Sequence, residues 1–145
     1  MKRYFFFMII IFPIILPIRI SADELYRITA KEMGFLSLDY TVTEIKRTDR
    51  LSVLHIPGFH KRTAAASRWM MCVYTDLTQK RGFEYWAVVY PDLSNEDLMV
   101  GFPNSKNEDI ARTIAPEFGT KNALPIMPVE KMIYFCDSMK KRGGR

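Results

Sequence analysis

The chain has few of the residues that carry out chemistry. It holds two cysteines and two histidines in 145 residues. The histidines, His55 and His60, stand five apart with Pro57-Gly58 between them. A step of five does not put two side chains on one helical face. No Cys, His or carboxylate completes a metal-binding spacing around them, so no metal and no cofactor is expected. A glycine-rich phosphate loop, a nucleophile elbow and a dinucleotide fingerprint are all missing. The acidic pairs Glu96-Asp97 and Glu108-Asp109 have structural explanations. The first sits in or after a turn, and the second sits in the first turn of a helix, where the macrodipole favours negative charge. Neither cysteine has a histidine near it in sequence, which leaves a catalytic thiol without a base. The chain reads as a non-enzyme.

An excess of positive charge on the body of the chain is also missing. The whole chain carries 21 Lys+Arg against 16 Asp+Glu. Lys2, Arg3 and Arg19 lie in an N-terminal segment expected to be removed, which leaves 18 against 16. Lys140, Lys141, Arg142 and Arg145 lie in the last six residues, and without them the body is 14 against 16. A nucleic-acid-binding body concentrates cations on its folded surface. This one does not, and no nucleic-acid partner is expected.

There is only one long apolar run. Met1-Lys2-Arg3 is a short basic start, residues 4–18 are almost wholly apolar, and Arg19-Ile20-Ser21-Ala22 follows. This is the layout of a secretory signal peptide, with cleavage expected after Ala22. Pro13 and Pro17 interrupt the run, which is short for a membrane-spanning helix. An uncleaved N-terminal anchor is the alternative. No cysteine follows the expected cut, so no lipid attachment point is expected. Three regions follow from this: a signal peptide over 1–22, a single domain over 23–139 and a basic tail over 140–145. The protein is expected to be periplasmic or secreted, with no membrane span after cleavage.

The rest of the chain is organised around residues 64–91. Ala65, Ala66, Trp69, Met70, Cys72, Val73 and Leu77 recur in steps of three and four, the stripe of a helix. Arg68, Thr75, Thr78 and Gln79 lie off that stripe. Lys80 and Arg81 suit the negative end of the helix, and Gly82 suits the left-handed position that ends it. Asp76 and Lys80 make an i,i+4 pair. Residues 83–90 are aromatic and β-branched and read as a central strand. Phe83, Tyr85, Ala87 and Val89 point one way and are expected to pack on the helix. Glu84, Trp86, Val88 and Tyr90 point the other way. That second face needs cover from this chain, a partner or a ligand.

Elsewhere the pattern is weaker. A short helix is expected over 23–33, stopped near Gly34. Residues 40–46 and 51–56 read as a hairpin around a polar turn at 47–50, and Pro57-Gly58 leads into the long helix. A fourth strand is expected over 98–102, where Gly101 marks a bulge or a close backbone approach. Ser105 and Glu108 have capping-box spacing ahead of a helix to about residue 115. Residues 117–127 look irregular. Pro128 opens a last helix with the stripe Val129, Met132, Ile133 and Cys136, which frays into the basic tail. The order is ββαββαα. This implies an α+β two-layer fold, an antiparallel four-stranded sheet with helices packed on one face. A mixed sheet is the alternative.

Cys72 and Cys136 each fall on the buried stripe of an expected helix. An even cysteine count in an exported chain points to a disulfide between them, and two separate buried thiols are the alternative. His55 is expected in a strand at the sheet edge, and His60 near the start of the long helix. The stretch 68–89, with Arg81-Gly82-Phe83 between helix and strand and the pair Tyr85-Trp86, resembles a stretch of small exported bacterial envelope proteins. It spans about a sixth of the chain and carries no site.

The functional expectation is a small exported cell-envelope or secreted protein with a binding or structural role. Its partner is an unidentified protein or envelope component. The expected binding residues are Trp86 and Tyr90, since amphipathic aromatics anchor interfaces at low entropic cost. The basic tail would add attraction to an anionic surface. One alternative is a small secreted hydrolase that uses His55 or His60 with a carboxylate brought close by folding. A secreted effector is another.

Overall fold

The computed structural model describes residues 24–92 and 96–144. The expected signal peptide lies outside the described residues. The fold is α+β, with a curled antiparallel sheet of six strands and three helices. The strands are β1 (Arg27–Thr29), β2 (Thr41–Thr48), β3 (Leu51–His55), β4 (Tyr85–Val89), β5 (Asp97–Gly101) and β6 (Met127–Pro128). The helices are α1 (Ala64–Lys80), α2 (Ile110–Thr113) and α3 (Val129–Lys141). Across the sheet the order is β1-β2-β3-β5-β4-β6, and every neighbouring pair is antiparallel. The sheet therefore has six strands rather than the expected four, and it is not mixed.

The two extra strands are short edges. The expected helix over 23–33 is instead β1 followed by a turn. Tyr26, Ala30, Met33 and Phe35 are buried there. Glu32 accepts hydrogen bonds from the Thr29 amide and hydroxyl, both at 2.7 Å, and so fixes the turn. The Thr29 amide is thereby withheld from any further strand. β6 is two residues long and lies beside β4.

Helix α1 forms where its sequence signals place it. Thr63 caps it, its hydroxyl accepting from the Ala66 amide at 3.2 Å. At the other end Gly82 has φ 77°. Its amide reaches the Gln79 carbonyl and the Phe83 amide reaches the Thr78 carbonyl, both at 3.0 Å. Those two bonds make a Schellman stop, which needs a residue without a Cβ penalty at the left-handed position. Helix α3 ends the same way. The Gly143 amide meets the Lys140 carbonyl and the Gly144 amide meets the Met139 carbonyl, each at 2.9 Å. The segment through Gly144 does not fray as expected. The helix runs through Lys140 and Lys141, and Gly144 is buried against the Phe35 ring.

The core lies in two parts. The larger sits between α1, α3 and one sheet face and includes Trp69, Met70, Val73, Leu77, Trp86, Val88 and Val100. The smaller lies on the opposite face, where Ala87 and Val89 meet Ile110 and Phe118. The expected facing of β4 is therefore reversed, with Trp86 and Val88 under the main core. Both faces of this strand are apolar, so alternation alone does not choose between them. Thr75 and Thr78, which lie off the apolar stripe, are also buried. Their hydroxyls bond the Met71 and Tyr74 carbonyls one turn back, which lets them enter the core without orphaned polar atoms.

Helices α1 and α3 are joined by a disulfide between Cys72 and Cys136, with Cα atoms 5.5 Å apart. Gly101 lies against Phe118, and a Cβ there would come within 2.8 Å of the ring. The approach at this glycine is made by a side-chain ring rather than by a second backbone, and the strand pairing runs through it without a bulge. The Ser105–Glu108 capping box is not. The Glu108 carboxylate instead takes both Arg50 Nη2 contacts, at 2.6 and 2.7 Å, with the Thr113 hydroxyl and the Asn104 amide. Asp109 caps α2, which runs only four residues.

Candidate functional site

The strand ends β3, β4 and β5 meet at one end of the sheet, together with the 57–62 connection into α1. His55 closes β3, and antiparallel pairing sets it opposite Asp97, the first residue of β5. Its Nδ1 lies 2.6 Å from Asp97 Oδ1. An ionised carboxylate only accepts, so Nδ1 carries the proton and Nε2 is left facing Glu96, 3.9 Å from Oε2. Glu96 also reaches the connection into α1. Its Oε1 accepts from the Gly58 amide at 2.5 Å and lies 3.4 Å from His60 Nδ1. Gly58 holds φ 78°, the conformation that turns its amide into this position. His60 sits in a short turn, Phe59–Lys61, just before α1. The four side chains are between 32% and 39% exposed, so the cluster is open to water.

His55 is not at a sheet edge as expected, since β3 lies between β2 and β5. It is near its strand's end, and the two histidines share one carboxylate, Glu96. An imidazole held by a carboxylate has the geometry of a general base. No hydroxyl or thiol among the described residues hydrogen-bonds to either ring. Both thiols are taken up by the disulfide. Among the described residues, no group of three or more His, Cys, Asp or Glu side chains is placed to hold a metal ion.

Beside this cluster lies an aromatic wall. Phe59 stacks on Tyr90 with centroids 6.5 Å apart, and the Arg62 guanidinium lies 4.7 Å from one ring and 5.0 Å from the other. The hydroxyls of Tyr74 and Tyr90 are 2.7 Å apart. Burial pushes both phenols up, strongly for Tyr74, while Arg62 pulls them down. Both stay protonated at neutral pH, so one of the hydroxyls donates to the other.

The structure separates the two expected binding residues. Tyr90 is half-buried at this end of the sheet. Trp86 has no exposed surface at all. Its indole Nε1 donates to Thr75 Oγ1 at 3.2 Å, and its ring meets Tyr74 edge-on at 5.2 Å. The face that carries Trp86 is covered by α1 of this chain, so an exposed Trp86–Tyr90 patch does not exist. The orientation of β4 decides this, and it is set by contacts with distant segments.

A second feature has no counterpart in the sequence reading. A cavity of about 580 Å³ opens between β1, the end of β2 and the end of α1. Arg27, Arg47, Lys80 and Arg81 line it, with Glu24 and Asp49. Arg47 and Arg81 are tied into the fold. Arg47 pairs with the buried Glu44, which also accepts from Ser52 and from the Tyr26 amide. Burial raises the Glu44 carboxyl, and these donors more than reverse that, so it stays ionised. Arg81 donates to the Thr48, Asp49 and Leu51 carbonyls and to Ser52. The Tyr26 hydroxyl donates to Asp76, and burial raises the phenol well above its ordinary range. The register of β2 makes the Glu44 position possible. Glu44 shares the buried face of Val42 two residues before it, and the register shift between Glu44 and Lys46 that follows leaves Ile45 half exposed.

No protein-family model, no curated protein and no solved structure matches this chain. The resemblance of residues 68–89 to envelope proteins gains nothing from these comparisons.

Proposed function

We propose that the protein is a small exported protein of the cell envelope or the exterior, with a binding or structural rather than a catalytic role. The observation that carries this reading is the Cys72–Cys136 disulfide. Bonds of this kind persist in oxidising compartments and are rare where thiols are kept reduced. The basic, then apolar, N-terminal segment supplies the export signal. Among the described residues no helix is long and apolar enough to cross a membrane. A binding role suits a fold whose two thiols are locked in a staple and whose large aromatics Trp69 and Trp86 are spent on the core. The partner is a protein or envelope component, and the charge balance of the body speaks against nucleic acid. The test is a fusion of residues 1–30 to a reporter enzyme active only outside the cytoplasm. Activity that disappears when residues 2–22 are deleted supports export. Activity retained without them, or absent with them, overturns it.

The His55–Asp97 hydrogen bond favours a second reading, a small secreted hydrolase with His55 as general base. Turnover of p-nitrophenyl esters by the folded protein, lost in His55→Ala and in Asp97→Asn, would support that reading. Equal rates for all three proteins would remove it. A secreted effector shares the same export step and differs only in its target.

A further inference from the structure

We propose that the corner formed by the 31–39 turn and the end of α3 docks on an anionic phospholipid surface. The proposal rests on the reading of the protein as one that acts by binding, and it names the surface and the partner. The basic segment 140–144 is part of the fold. The Schellman stop of α3 turns the chain back, and Gly144 meets Phe35 so closely that a Cβ would lie 2.7 Å from the ring. On the other side of the same corner, Gly34 comes within 3.9 Å of the Lys140 side chain, measured from its Cβ direction. Lys140, Lys141 and Arg142 are all exposed there.

The residue that follows Phe35 is Leu36, and it is 72% exposed. Its exposure is imposed by the fold. Phe35 before it is wholly buried, and Leu38 two residues on is 8% exposed. The Phe35 amide bonds the Ala30 carbonyl and the Leu38 amide bonds the Phe35 carbonyl, at 3.0 and 3.1 Å. The turn is thus pinned on both sides of an apolar side chain that points into water. An exposed apolar side chain in a turn packed on a helix end that exposes three cations is the chemistry of an interfacial membrane contact, in which the tip enters the headgroup layer and the cations meet lipid phosphates. A purely polar polyanion would make no use of Leu36. The opposing charges include Glu32, exposed in the same turn, where it is held by Thr29. Asp39 pairs with Lys31 in the same turn, and Asp137 lies on α3. The body without its last six residues carries a small negative excess, so the attraction is local to this corner.

The test uses the chain beginning at Asp23, which contains every described element of the fold, and sedimentation with vesicles. Vesicles of zwitterionic lipid are compared with vesicles containing about one-third anionic lipid, at roughly 0.05 M and 0.5 M salt. The expected result is partition onto the anionic vesicles alone, weakened by salt. Each cation removed should cost about fivefold, so the triple variant Lys140→Gln, Lys141→Gln, Arg142→Gln should lose roughly a hundredfold. Leu36→Ser should lose about fivefold on vesicles and nothing on a soluble polyanion such as heparin. All these residues are exposed, so the variants keep the fold, which circular dichroism checks. No partition onto anionic vesicles, or equal binding by wild type and both variants, overturns the proposal. A triple variant that loses on heparin as it does on vesicles, while Leu36→Ser loses on neither, would assign the corner to a soluble polyanion and overturn the bilayer. None of these outcomes bears on export, which the reporter fusion decides separately.

Discussion

Replacing both cysteines with alanine is expected to cost most of the protein's stability without changing its fold. The disulfide closes a sequence separation of 64 residues. The chain-entropy relation for a loop of that size gives about 4 kcal/mol at 25 °C. Both residues are almost wholly buried, at 2% and 5% exposed, so the two lost sulfur atoms add about 1 kcal/mol of packing. A domain of about 120 residues has an unfolding entropy near 250 cal/mol/K at its midpoint, so the combined loss of about 5 kcal/mol corresponds to a fall of about 20 °C. Scanning calorimetry at pH 7 on the oxidised wild type and on Cys72→Ala/Cys136→Ala measures this directly. Far-ultraviolet circular dichroism should superimpose below the transition. The constraint acts on the unfolded chain, so the urea m-value should rise in the variant. A fall of less than about 4 °C would refute the reasoning. It would mean that Met132 and Met139, packed in the core from α3, hold the helix on α1 without the covalent link.

Three other perturbations have expected magnitudes. Gly101→Ala drives a methyl into the Phe118 ring, which is 5% exposed and hemmed in, and should cost about 1–3 kcal/mol by urea midpoint. Glu44→Ala removes the acceptor for Arg47, Ser52 and the Tyr26 amide from a buried position, and should cost about 3 kcal/mol by the same measure. Burial raises the Glu108 carboxyl, but hydrogen bonds from Arg50, Thr113 and the Asn104 amide outweigh it and hold the group at about 2. Its folded value is depressed, so its stabilisation is complete above about pH 4.5 and disappears as the pH falls towards 2. Discounted for its partly exposed partner Arg50, the effect is about 2 kcal/mol, and Glu108→Gln should flatten the acid limb of the stability profile by that amount.

What could be read from the sequence follows from how local each signal is. Helix α1 was legible because its stripe, its cations and Gly82 all lie within twenty residues and agree. The Cys72–Cys136 bond was legible because both residues fell on apolar helical stripes. β1 and β6 were not, since three and two residues are too few to show alternation. Leu25, Ile28 and Met33 imitated a helical spacing where the chain buries Tyr26 and Ala30. Glu108 had the spacing of a cap, yet Arg50, from the distant turn between β2 and β3, outcompeted the Ser105 amide. The candidate site shows the same division. Trp86 was visible as a large aromatic, but its facing depends on which side of β4 receives α1. The His55–Asp97 pair comes from the register of β3 against β5, strands separated in sequence by a helix and another strand. No spacing within either segment reveals that contact.

The central claim is that the chain is exported and stapled by a disulfide. The most direct test is the intact mass of the protein recovered from the envelope or medium of an export-competent host, with and without reductant. The account predicts a chain that starts at Asp23 and weighs two hydrogens less than the free-thiol form until it is reduced. A full-length mass with both thiols free would contradict it, and would return Cys72 and Cys136 to the role of buried thiols.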